Sequence, residues 1–197
     1  MKHFYWPHQQ LARAASSALA PFGVGLNGGL ALNAHGFVMR PHDDIDMASS
    51  SMTRDELTKA GAVLLDTLRE YDPQARQVSQ GPTWYRFSVN YGNFRTAMDL
   101  AVTPRFEPLV LMTDWGMVYS EADAVCHKVG ALHDRGRSQD FDDFDRIMRS
   151  GRWNAERVVQ EVRSRGLEVD FGRLAGRLAG NGPVFAEYAL ALVQATV

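Results

Sequence analysis

Apolar side chains recur at helical spacing from residue 8 to residue 19. Leu11, Ala14, Ala15 and Ala18 fall on one side, which predicts a short helix. Residues 22–27 look strand-like and run into Gly28-Gly29, after which a short helix over residues 30–35 is expected. Residues 45–48 read as a further strand with Asp44 at its mouth. Thr53-Arg54-Asp55-Glu56 has the capping-box spacing, so a helix begins near residue 54. Its apolar stripe is Leu57, Gly61, Leu64, Leu65 and Leu68, and Asp72-Pro73 ends the segment. Residues 83–90 and 94–102 read as strands, with Tyr91-Gly92-Asn93 as the hairpin between them.

The pattern then becomes helical. Ser120-Glu121-Ala122-Asp123 caps a helix whose stripe is Ala122, Val125, Cys126, Val129 and Leu132, fading at Asp134-Arg135-Gly136. Ser138 is expected to cap the next helix, which carries Phe141, Phe144 and Met148 and ends near Gly151. Three more helices follow, with Asn154 and Asp170 as N-caps and Pro183 at a first helical position. Gly172, Gly176 and Gly180 repeat every four residues, which predicts a small-residue helix face suited to close packing. The expected fold class is α+β: a mixed sheet with helices over residues 1–118, then a helical region over residues 119–197.

Composition narrows the setting. At 197 residues, 45% hydrophobic and 22% charged, the chain resembles an ordinary globular protein able to bury a core without cross-links. Its single cysteine, Cys126, excludes an internal disulfide and suits a reducing, cytoplasmic location. The first eight residues lack the apolar stretch of a secretory signal, and no run approaches membrane-spanning length, so no membrane partner is expected. A net charge of −2 gives no global electrostatic footprint for nucleic acid. The basic residues are 18 arginines and 3 lysines (Lys2, Lys59 and Lys128), which draws attention to each lysine.

Two pieces carry candidate chemistry. A Gly-Gly step lets backbone approach a phosphate because no Cβ intervenes. Asp44 and Asp46 sit at i and i+2 on a strand, so they share a face, while Ile45 and Met47 share the other. A pair of carboxylates so placed can grip a divalent cation. Asp99, polar between Met98 and Leu100, becomes a third ligand if its strand lies beside the first. Read alone, Asp-Asp-Ile-Asp more often marks a solvated turn, and Gly-Gly usually marks an ordinary turn. Ala124, Lys128, Ala131 and Arg135 follow helical spacing along the edge of the apolar stripe. That face can take a ligand beside two cations or be a solvated edge. Asp140 and Asp143 share a face near a helix start, where acids also complement the helix dipole. His35, His42, His127 and His133 make no familiar metal-ligand spacing, and His127 is expected at the surface and Cys126 in the core. Trp84, Tyr85 and Phe87 suit sheet packing better than base stacking.

The ordered set Gly28-Gly29-Leu30-Ala31-Leu32, Arg40, Asp44-Ile45-Asp46-Met47, then Lys128, Arg135, Arg137, Asp140 and Asp143 resembles the AbiEii/MenT-type nucleotidyltransferase toxins. The resemblance spans roughly residues 22–150. It implies a nucleotidyltransferase fold whose helical region completes the active-site cleft. It also implies a Mg²⁺-dependent enzyme that moves a nucleoside monophosphate from an NTP to an RNA hydroxyl. The tRNA 3′ end is the acceptor and an antitoxin the cognate partner that it suggests. By the same resemblance Asp44, Asp46 and Asp99 hold Mg²⁺, and Asp99 helps to deprotonate the acceptor. Gly28, Gly29, Arg40, Lys128 and Asp140 bind the nucleotide, and Lys128 and Asp143 join the catalytic set. Three positions depart from the pattern: His42 stands in place of a Ser or Thr, Gln139 in place of an Arg, and Leu30 in place of a small residue. Nucleotidyl transfer to an aminoglycoside-like small molecule, and a binding role on an inactive fold, are the competing functions.

Overall fold

The computed structural model describes residues 6–197. Lys2 and most of the segment read for a signal sequence lie outside the described residues. The chain divides into two compact units. One comprises the residues up to Ala34 together with Met39–Ser120; the other comprises His35–Val38 and Glu121–Val197.

The first unit is built on a seven-stranded mixed sheet of order β3-β4-β5-β2-β1-β7-β6. Its strands are β1 (Gly25–Asn27), β2 (Asp44–Ser49), β3 (Arg76–Gly81), β4 (Trp84–Tyr91), β5 (Phe94–Val102), β6 (Val110–Met112) and β7 (Gly116–Val118). Its helices are α1 (Trp6–Ala18), α2 (Gly28–Ala34) and α3 (Arg54–Arg69). The β4–β5 hairpin and the capped start of α3 form where the pattern predicts them; the Thr53 amide donates to Glu56 Oε2 at 2.8 Å. The buried stripe of α1 is rotated from the expected one. Leu11, Ala12, Ala15 and Leu19 are fully buried, whereas Ala14 and Ala18 are only half-buried.

β2 and β5 are neighbours and parallel, with Asp46 opposite Asp99. Alternation then divides the sheet. Ile45, Met47, Met98, Leu100, Tyr85 and Phe87 are buried, and Tyr85 and Phe87 pack against Gly61 of α3. Asp44, Asp46, Asp99 and Arg86 alternate with them and so take the opposite face. Trp84 is exposed, so it does not join this packing.

The second unit contains α4 (Glu121–Asp134), α5 (Ser138–Arg149), α6 (Ala155–Ser164), α7 (Phe171–Ala179) and α8 (Pro183–Thr196). His35–Val38 belongs with it: Arg152 lays its guanidinium 3.7 Å from the Phe37 ring centroid and donates to the His35 carbonyl at 2.8 Å. Asn154 and Asp170 cap α6 and α7 as predicted, accepting from the amides of Arg157 and Arg173. Three expectations fail here. Ser138 is the first helical residue and not the cap of α5; the free amide of Arg137 is instead met by the Asp140 carboxylate at 3.1 Å. The glycines of α7 are exposed and mediate no close packing among the described residues, because the buried face is Phe171, Leu174, Ala175 and Leu178. His127 is half-buried with Nε2 shielded from solvent, since neighbouring helices cover most of α4. Cys126 is buried, as expected. Among the described residues no helix is long and apolar enough to cross a membrane.

Candidate active site

Sheet register assembles the acidic site. Asn27, Asp46, Asp99 and Arg86 stand directly opposite one another across β1, β2, β5 and β4, forming one polar row. Asp44 lies one pleat before Asp46 on the same face. Asp44, Asp46 and Asp99 each offer a carboxylate oxygen, and those atoms lie within 4.8 Å of one another. Like charges facing each other on adjacent strands destabilise a sheet, so this convergence calls for a cation.

One cation is part of the chain. Arg86 forks across the group, donating from Nη1 to Asp99 Oδ2 at 3.0 Å and from Nη2 to Asp44 Oδ2 at 3.3 Å. Its side chain is 38% exposed, so this pairing is worth much less than a buried one. Arg86 was absent from the residues singled out by sequence, yet a signal was present. Tyr91 pairs with Phe94 across the predicted hairpin, and counting five residues back along each strand places Arg86 opposite Asp99.

Asp99 is the unusual acid of the group. Burial pushes its carboxyl above the usual range; Arg86 opposes that shift and the Asp44 charge reinforces it. Its Oδ1 is buried and has no hydrogen-bond partner among the described residues. An orphaned buried oxygen carries a cost that a ligand can remove. Oxygens of one Mg²⁺ shell stand about 2.9–4.2 Å apart, given metal–oxygen bonds of about 2.0–2.1 Å. The observed spread is close to that range. Hard carboxylate donors, proximity and the orphaned Oδ1 together fit a divalent cation at Asp44, Asp46 and Asp99.

The glycine pair has a specific structural task beside this group. Gly28 opens α2 with φ +63°, and a Cβ there would overlap Asp46 Oδ2 and stand 2.8 Å from Asp46 Cγ. Gly29 is crowded by the His42 ring at 2.7 Å and the Arg40 guanidinium at 3.2 Å from a hypothetical Cβ. The missing side chains therefore make room for the Asp46 carboxylate and for the segment leading into β2. Arg40 donates to the Pro41 carbonyl at 3.0 Å. His42 is buried, replacing an expected small hydroxyl with a ring packed on backbone.

The remaining candidates lie in the helical unit. Lys128 is buried and donates to Asp140 Oδ1 at 3.0 Å, with Asp143 Oδ2 at 2.9 Å. Arg135 Nε adds a bond to Asp140 Oδ2 at 3.0 Å. Burial pushes the Asp140 carboxyl up, but the bonds from Arg135 and the charge and bond of Lys128 prevail and hold it below the usual range. Asp140 does complement the start of α5, accepting from the Arg137 amide, but the burial of these residues goes beyond a solvated helix end. Lys128 is not a solvated helix edge, and Asp140 and Asp143 face inward beside Phe144 and Ile147. Ala124 beside Lys128 is buried too, and Ala131 is half-buried.

Comparison with solved structures bears on the fold. A crystal structure of an H. pylori protein, provisionally described as a nucleotidyltransferase, aligns with a TM-score of 0.59 at 14% identity, covering 100% of this chain and 95% of that one. The fold is nucleotidyltransferase-like. JHP933 from Helicobacter pylori is similar at a TM-score of 0.58 and 15% identity, covering 100% of this chain and 92% of its own. At such identities the likeness speaks for the fold and not for an activity, nor for the AbiEii/MenT branch. No family model matches the chain. No curated protein matches it either.

Proposed function

We propose that this chain is a Mg²⁺-dependent, toxin-type nucleotidyltransferase that moves a nucleoside monophosphate from an NTP to RNA, with the tRNA 3′ end as acceptor. The observation that carries the reading is the convergence of Asp44, Asp46 and Asp99 on one face of a nucleotidyltransferase-like sheet. The RNA acceptor, the antitoxin partner and the cytoplasmic setting rest on the sequence resemblance.

Asp44, Asp46 and Asp99 would hold the metal, which when bound supplies charge neutralisation and orientation of the phosphates. In the reaction the acceptor oxygen bonds to the α-phosphorus, the bond from that phosphorus to the bridging oxygen breaks, and pyrophosphate leaves. The acceptor proton must go to a base. The sequence resemblance gives that role to Asp99. Gly28 keeps a Cβ away from Asp46, Gly29 keeps one away from His42 and Arg40, and in this reading both let backbone approach the triphosphate. Arg40, Lys128 and Asp140 complete the proposed nucleotide-binding set, and Lys128 and Asp143 belong to the catalytic one.

Incubation with Mg²⁺, each α-labelled NTP in turn and total tRNA tests the reading. The expected result is label on RNA that disappears in Asp44→Ala. Label found only on aminoglycosides would favour a small-molecule enzyme. Nucleotide binding without transfer to any acceptor would favour an inactive fold with a binding role.

A further inference from the structure

We propose that Arg86 is a built-in counter-ion that competes with the divalent metal for the acidic triad. The inference rests on the metal reading above and adds a role for a residue outside the metal ligands. Arg86 is a positioning residue here: it acts through the carboxylates it holds.

Three observations support it. First, Arg86 does not simply border the site. Its two terminal nitrogens hold Asp99 Oδ2 and Asp44 Oδ2, an oxygen from each of two of the proposed metal ligands. A guanidinium presents such a fork in rigid form, which a lysine ammonium cannot. Second, the position is dictated by sheet register, because Arg86 and Asp99 are directly opposed in the β4–β5 hairpin. Backbone pairing brings Arg86 and Asp99 to the same row, and the Arg86 side chain reaches on to Asp44. Third, the contact leaves Asp99 Oδ1 buried and without a hydrogen bond among the described residues. The guanidinium satisfies only part of the acidic group, and a hard cation that engages Oδ1 has something to gain. At 38% exposure, Arg86 can swing away without unpacking the core.

The consequence is a threshold for metal. A divalent ion that takes Asp44 and Asp99 must displace the Arg86 bonds or share the oxygens with a nearby positive charge. Repulsion between a dication and a guanidinium about 5–6 Å away corresponds to roughly tenfold in affinity at a water-like dielectric. An anionic triphosphate supplies the opposite charge and draws the released guanidinium. Arg86 thereby favours metal arriving with nucleotide over metal alone.

Mn²⁺ titration followed by electron paramagnetic resonance, without nucleotide, tests this on the full chain. Arg86→Met and Arg86→Gln are expected to bind Mn²⁺ about threefold or more tightly than the wild type, while Arg86→Lys, which keeps the charge, stays within about twofold of it. The Gln variant is shorter but neutral and still able to hydrogen-bond, so it carries the test if the Met variant fails to melt cooperatively. Unchanged or weaker Mn²⁺ affinity in folded neutral variants overturns the proposal. Asp46→Asn separates this from the underlying reading. If it loses Mn²⁺ while the neutral Arg86 variants match the wild type, only the counter-ion role falls. If it binds Mn²⁺ as tightly as the wild type, the triad is not the metal site and both fall.

Discussion

Gly28→Ala is the smallest change that challenges the candidate site through its geometry. Gly28 has φ +63° and faces Asp46, whose Cγ would stand 2.8 Å from the new Cβ and whose Oδ2 would overlap it. Two costs follow. A left-handed backbone costs an alanine about 1–2 kcal/mol, which lowers the melting temperature of a chain this size by about 2–8 °C. The second cost falls on the site. Ordinary contact needs about 3.4 Å or more, so the Asp46 carboxylate must retreat by about 1 Å or the start of α2 must move. Metal–oxygen bonds are about 2.0–2.1 Å and tolerate little stretching, and a 1 Å misplacement near reacting groups costs about a hundredfold in rate. The expected phenotype is therefore a folded protein with weakened Mn²⁺ binding and nucleotidyl transfer down about a hundredfold. Thermal melting, Mn²⁺ titration and α-label transfer on the same preparation check it. A Gly28→Ala protein with wild-type Mn²⁺ affinity and transfer within about threefold of wild type would refute the claim that this glycine makes room for Asp46.

Other changes follow from the same contacts. Lys128→Met strips the shared cation from the buried Asp140 and Asp143, so urea denaturation is expected to register a loss of about 3–5 kcal/mol; the double change with Asp143→Asn should recover part of it. The low carboxyl of Asp140 makes the folded state bind its proton less readily than the unfolded chain. Its stabilisation is then present above the unfolded value of about 4 and lost as pH falls through the folded one, and Asp140→Asn should flatten unfolding curves taken from pH 2.5 to 6. Asp99 has the opposite sign: its raised carboxyl favours folding at low pH and that advantage fades as pH rises through the folded value. Asp99→Asn is accordingly expected to melt no lower than the wild type at pH 7 while losing Mn²⁺ binding. Gly176→Ala, on an exposed helical position with no described atom within 4 Å of the added Cβ, should gain about 0.5–1 kcal/mol; a loss there would mean that the glycine face is packed after all.

Much of the acidic site was legible because strands have a period of two. Asp44 and Asp46 between Ile45 and Met47, and Asp99 between Met98 and Leu100, announce carboxylates on a face opposite the core. Whether β2 and β5 are neighbours is a matter of topology, which alternation does not encode. Arg86 was readable from the hairpin turn by counting register, but an arginine in a strand carries no signal of its own. β3 was missed because Arg76–Gly81 is a largely exposed polar edge strand without apolar alternation. β6 and β7 were missed because three residues are too short for a period. The burial of Lys128 was hidden for a different reason. Periodicity finds one apolar stripe, whereas α4 packs against α5, α6 and α7 and buries Asp123, Lys128 and His133 along with that stripe. Buried charges satisfied by distant partners, as Asp123 is by Arg165 at 2.9 Å, look like surface residues in a pattern of polar and apolar positions. The small-residue spacing of α7 failed similarly, since it defines a face but not whether anything packs on it.

The central claim is that Asp44, Asp46 and Asp99 support transfer of a nucleotidyl group. Parallel reactions with α-labelled and γ-labelled NTP, Mg²⁺ and total tRNA test it most directly, with Asp46→Asn alongside the wild type. The α-label is expected to become attached to RNA and the γ-label to leave as pyrophosphate, with neither outcome in the variant. Transfer of the γ-label to the acceptor, or equal α-label transfer by Asp46→Asn, would contradict it.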